Sequence, residues 1–166
     1  SSRSVLILTL SIFLLAPSFA SSSHLGIGGQ QTNTQDSSII NDVAKEGCLC
    51  HSEVANNSVQ IILDDVPYGW IAGESYDMKL QIIGGPISAS PYTAGFSMEV
   101  SAGELSGDNL QNWENNVTTL THTKDSAGIS DRSWTLTWVA PDTENGSINF
   151  WITGNSVNGD MGPGDD

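Results

Sequence analysis

The feature that most constrains the fold is a series of short segments in which apolar and polar residues alternate with a period of two. The clearest runs from Ser133 to Val139, with Trp134, Leu136 and Trp138 on one side and Thr135 and Thr137 on the other. Successive side chains of an extended chain point to opposite faces, so this pattern buries one face of a sheet. It recurs in Val59, Ile61 and Leu63, in Tyr76, Met78, Leu80 and Ile82, and in Phe96, Met98 and Val100. Ile148, Phe150 and Ile152 repeat it near the end, and a short strand is expected over Val117 to Thr121. Pro67-Tyr68-Gly69, Gly84-Gly85-Pro86 and Pro141 to Gly146 read as turns, and the polar stretch from Ser106 to Asn116 as a long loop. Beyond the first twenty residues no window of helical length repeats every 3.6 residues. The expected class is all-β, an antiparallel β-sandwich of immunoglobulin-like form, with Trp134 and Trp138 filling the space between two sheets.

The N-terminus reads differently. Val5 to Ala16 is an apolar run preceded by Arg3 and followed by Pro17-Ser18-Phe19-Ala20. A basic start, a short apolar core and small residues at the exit make a secretory signal peptide, and cleavage is expected after Ala20. The run is too short for a bilayer, which needs about 20 apolar residues, so no membrane span is expected in the mature chain. Residues 21–45 are rich in Ser, Gly, Gln, Thr and Asn and read as a flexible leader. Residues 46–166 then form the sandwich domain, expected to be truncated at its C-terminal end.

Export fixes the environment in which composition is read. The chain carries 19 Asp and Glu against 5 Lys and Arg, a formal net charge of −14, and loss of Arg3 makes the mature chain more negative still. Such a surface repels nucleic acid and anionic lipid, and nucleic acid is excluded as a partner. Asn56, Asn116 and Asn145 head Asn-x-Ser/Thr sequons, candidate glycan sites in an exported protein.

Several segments match a known group in order. They are Gly47-Cys48-Leu49-Cys50-His51, then Val66 to Tyr76, Ala94-Gly95-Phe96, Thr121-His122-Thr123, Ser133 to Pro141, and Gly154 to Asp160. The chain thereby resembles the exported Reeler-like β-sandwich domains, often called choice-of-anchor domains, of prokaryotic cell-surface proteins. The resemblance covers nearly everything from Gly47 onward. It implies a Reeler-like sandwich outside the cell, at the surface or in the periplasm, often followed by an anchoring segment. It implies no defined catalytic activity.

Cys48-Leu49-Cys50-His51 holds both cysteines of the chain and one of its three histidines. Three readings stay open. In the first, two thioether bonds from Cys48 and Cys50 attach haem c, His51 ligates the iron and His122 supplies a second axial ligand, giving an electron-transfer domain. The spacing is one residue shorter than the usual Cys-x-x-Cys-His. In the second, Cys48, Cys50, His51 and His122 form a thiolate and imidazole set for zinc or copper. In the third, the cysteines form a disulfide or an inert thiol pair; a Cys-x-Cys ring is so small that it constrains little of the unfolded chain. For His122 the plain alternative is a hydrogen-bonded structural histidine at a strand end.

The Gly-rich C-terminal stretch offers oxygen ligands for calcium, with Asn155 and Asp160 as candidates, against the alternative of a soluble turn. No nucleophile elbow, zincin helix or phosphate loop occurs. The sequence therefore points to a non-enzymatic extracellular or cell-surface module for adhesion, anchoring or ligand display. The alternative is the haem domain.

Overall fold

The structure is a computed structural model that describes residues 26–32, 40–46, 57–86, 92–127, 131–143 and 146–158. The signal-peptide segment and Cys48, Cys50, His51 and Asp160 lie outside the described residues.

The first described elements are β1 (Gln30–Thr32), β2 (Ile40–Asp42) and a single helical turn, α1 (Val43–Glu46). The strands β3 (Val59–Asp64), β4 (Ser75–Gly84) and β5 (Ala94–Val100) follow. Next come β6 (Glu104–Ser106), β7 (Leu110–Gln111), a 3-10 turn at Trp113–Asn115 and β8 (Thr119–His122). The series ends with β9 (Ser133–Val139) and β10 (Phe150–Ser156). Among the described residues all pairings are antiparallel, in two four-stranded sheets of order β3-β4-β9-β6 and β10-β5-β8-β7, plus the small β1-β2 pair. The all-β sandwich expected from the alternation is the observed architecture.

The alternating rows set the register. In the first sheet Leu80 lies opposite Trp134 and Met78 opposite Leu136, while Trp138 lies opposite both Tyr76 and Leu105. In the second, Met98 sits between Ile152 and Leu120. These inward rows form one core of Met78, Leu80, Ile82, Phe96, Met98, Val100, Leu105, Leu120, Trp134, Leu136 and Trp138. Burying each large apolar side chain stabilises the fold by about 1.5–3 kcal/mol. The indole N–H groups are satisfied from inside: Trp134 Nε1 donates to Ser126 O at 3.0 Å and Trp138 Nε1 to Ala102 O at 3.0 Å. Trp138 stacks on Tyr76 and meets Trp70 and Phe150 edge to face, geometries that ring quadrupoles favour.

The second sheet departs from simple alternation. Ser97, Thr119 and Thr121, which belong to its outer face, are as buried as the core. Part of the stretch expected to be a flexible leader covers Ser97 and Thr121, while the 3-10 turn covers Thr119. Val43 N donates to Gly29 O, closing the start of α1 onto the Gly26–Gln30 segment. Ile27 N donates to Thr121 Oγ1, and a Cβ on Gly28 would lie 3.0 Å from Trp113 Cβ and 3.4 Å from Ser97 Oγ. Val43 and Ala44 are buried, and Ala44 O accepts from Thr153 Oγ1 of β10. Residues 26–32 and 40–46 thus form a strap over the outer face of this sheet.

Candidate functional site

Two places in the fold bear on the chemistry read from the sequence: the end of the strap, which leads into Cys48, and the surroundings of His122.

The strap ends in a charged bracket. Lys45 Nζ lies 2.7 Å from Glu99 Oε1 of β5 and 3.0 Å from Asp42 Oδ2, and 4.9 Å above the centre of the Trp151 ring of β10. Trp151 and Glu99 are cross-strand partners, so one lysine spans two strands of the sheet and the strand before it. The hydrogen bond to Glu99 is the main cause that raises the Lys45 pKa above its ordinary 10.5, opposed by desolvation and helped by Asp42. Two residues, Glu46 and Gly47, separate Lys45 from Cys48.

His122 closes the β5-β8 ladder. The main-chain groups of Phe96 face β8, as the bond from the Val100 N–H to Thr118 O on the same side shows. The partner due there by register is the His122 main chain. At the Phe96 N–H a side chain stands in place of the main-chain carbonyl. Phe96 N donates to His122 Nδ1 at 3.1 Å, and Thr121 Oγ1 donates to Phe96 O at 2.6 Å. Phe96 O also lies 3.2 Å from Nδ1, so that nitrogen faces a donor and an acceptor of one residue. The displaced His122 O accepts from Gln111 Nε2. His122 is buried, with a relative exposure of 6 %.

Gly95 makes room for the ring. A Cβ at this position would come 2.3 Å from Cε1 and 2.8 Å from Nε2 of His122. Asn155 lies directly across from Gly95 on β10. The fold therefore brings His122 and Asn155, assigned to separate sites in the sequence, to either side of one glycine. Asp160, Cys48, Cys50 and His51 lie outside the described residues, and among the described residues no group of three or more His, Cys, Asp and Glu side chains is placed to hold a metal.

No sequence pattern links Lys45 with Glu99, 54 residues apart, as a pair. The sequon residue Asn116 is exposed, and its Oδ1 accepts from both the N–H and the hydroxyl of Thr118. No helix among the described residues is long and apolar enough to cross a membrane.

No family model and no curated protein sequence matches the chain. Among solved structures, it is similar to the reeler domain of human F-spondin at 17 % identity and a TM-score of 0.42, over 58 % of this chain and 74 % of that one. It is similar also to the Reelin-N domain of F-spondin, at 18 % identity and a TM-score of 0.45, over 61 % of this chain and 75 % of that one.

Proposed function

We propose that the chain is an exported, non-enzymatic β-sandwich module of an extracellular or cell-surface protein, of the choice-of-anchor kind, serving adhesion, anchoring or ligand display. The observation that carries this reading is the use made of the buried polar side chains. Thr121, His122, Trp134 and Trp138 each bond a main-chain group of another segment, so the polar interior holds a framework together. A framework of this kind presents its loops and edges. The apolar run and small-residue exit before Ser21 support export. Expression of the full chain in a secreting host tests the reading. The product is expected outside the cytoplasm with Ser21 as its first residue; a cytosolic product with an intact leader contradicts it.

A second reading keeps Cys48, Cys50 and His51 as a haem c attachment site or as thiolate and imidazole ligands for zinc or copper, with His122 as a further ligand. It is supported by the anchoring of α1, whose last residue, Glu46, precedes Cys48 by two positions. With Nδ1 turned to the Phe96 main chain, Nε2 is the nitrogen His122 would offer. Haem staining of a denaturing gel after expression with attachment machinery, together with elemental analysis, tests it. A covalent haem band lost in Cys48→Ser/Cys50→Ser supports haem; a colourless, metal-free protein rejects both forms.

A further inference from the structure

We propose that β3 is a self-pairing edge, through which two copies of this chain join their β3-β4-β9-β6 sheets into one continuous sheet about a twofold axis at Ile61. β3 lies at the end of its sheet and pairs only with β4 among the described residues. An unpaired edge exposes a row of N–H and C=O groups, and proteins ordinarily blunt it by shortness, proline, lysine or a cover. Two of the other edges are short, β6 and β7 being 3 and 2 residues long, and the outer face beside the β10 edge carries α1, with Thr153 Oγ1 bonded to Ala44 O. β3 is 6 residues long, and from Val59 to Leu63 it holds neither a charge nor a proline.

Which groups face outward follows from the ladder. Ile82 N donates to Arg132 O on the β9 side, and Ala140 N donates to Glu74 O across the same pair of strands. Even-numbered residues of β4 therefore turn their main-chain groups to β9 and odd-numbered ones to β3. Through the β3-β4 register, Gln60, Ile62 and Asp64 bond β4, and Val59, Ile61 and Leu63 present their N–H and C=O groups at the open edge.

A twofold axis at Ile61 sets Ile61 opposite Ile61 of the second copy, Val59 opposite its Leu63, and Gln60 opposite its Ile62. All three outward-facing residues then meet outward-facing residues, so every exposed main-chain group in the row gains a partner. Side-chain faces agree as well. Val59, Ile61 and Leu63 lie on the core side, where Ile61 is 37 % exposed at the sandwich rim beside Gly154. Pairing covers that rim with the same row of the second copy. The twofold register is what fits a second copy, and the local charge pattern permits it. Two chains of net charge −14 repel wherever acidic surfaces meet, and the β3 row brings together uncharged residues. Asp64 falls opposite Ser58 of the second copy, so no carboxylate faces another across the seam.

Sedimentation velocity over a concentration series of the mature chain tests this, with three proteins compared. The wild type is expected to form a dimer. Gln60→Lys/Ile62→Lys, on the solvent side of the strand, sets like charges opposite each other across the seam and should weaken dimerisation by about tenfold or more. Gln60→Lys/Ile62→Glu sets opposite charges in those same positions and should restore it. Near-ultraviolet circular dichroism of the buried tryptophans checks that each variant is folded. A wild type monomeric up to millimolar concentration overturns the proposal. So does a dimer undisturbed by the paired lysines, or one that the lysine–glutamate combination fails to restore.

Discussion

At the scale of single residues, the most telling contact is that between Gly95 and His122. The imidazole occupies the volume that any side chain at position 95 would need, and its Nδ1 bonds the Phe96 N–H. Gly95→Ala is expected to destabilise the fold by about 1–3 kcal/mol through overpacking. His122→Ala removes the acceptor from a buried N–H and should cost about 1–3 kcal/mol. Urea denaturation measures both, and the double variant should cost less than the two singles together, because without the ring the new methyl has space. Additive costs would show that the ring and the glycine do not meet. The sequence showed His122 as a strand-end histidine but not its partner, since Gly95 and Phe96 reach it only by pairing of β5 with β8. The Cys48 to His51 tetrapeptide was legible as chemistry without geometry.

At the scale of elements, strands with a long apolar alternation could be read directly. Ser133–Val139 was expected and is β9; Tyr76 to Ile82 lies within β4, and Phe96 to Val100 within β5. Elements held by distant partners could not. β6 and β7 are too short to display a period, and they exist because β9 and β8 offer them main-chain partners. β7 lies within the stretch that reads as one polar loop, and β6 runs into its start at Ser106. The expected strand from Val117 to Thr121 is found as β8, Thr119–His122, shifted toward its pairing with β5. The strap was hidden for a related reason: its polar, glycine-rich composition is that of a linker, and what holds it are main-chain bonds and the Lys45 bracket.

That bracket has a pH signature. Because the folded protein raises the Lys45 pKa, its contribution is fully present below pH 10.5 and is lost as pH rises through the higher folded value. With Lys45 Nζ on a partly exposed side chain, the contribution is about 1 kcal/mol or less. The stability difference between wild type and Lys45→Met, followed by urea melts, should hold constant from pH 8 to 10 and shrink above it. A difference that grows with alkaline pH would contradict the ion pairs.

Arg132 acts between elements too. Its guanidinium donates to Gly84 O and Pro86 O at the end of β4 and to Ser156 Oγ at the end of β10, so one side chain ties the two sheets together. Charge-assisted bonds of this kind each contribute about 1.5–3 kcal/mol when sheltered. Arg132→Ala is expected to lower stability by about 2 kcal/mol, and Arg132→Lys, which cannot span three acceptors with a planar fork, should recover only part of it. Full recovery with lysine in thermal melts would mean that charge alone matters.

At the scale of the whole molecule, an acidic composition surrounds a core built from two rows of large side chains, with one sheet covered by the strap and the other ending, among the described residues, in the β3 edge. On the proposed function, an exported framework of this form would carry its chemistry on what it displays: the cysteine tetrapeptide that follows the strap, the loops at the sandwich ends and the edge itself. The central claim is the pairing of the two sheets around the buried tryptophans. Two-dimensional NMR of the mature chain tests it most directly through contacts between facing strands. Cross-strand contacts are predicted for Leu80 with Trp134, Met98 with Leu120 and Met98 with Ile152. Sequential contacts of helical type through Tyr76–Ile82 or Ser133–Val139, in place of those pairs, would contradict it.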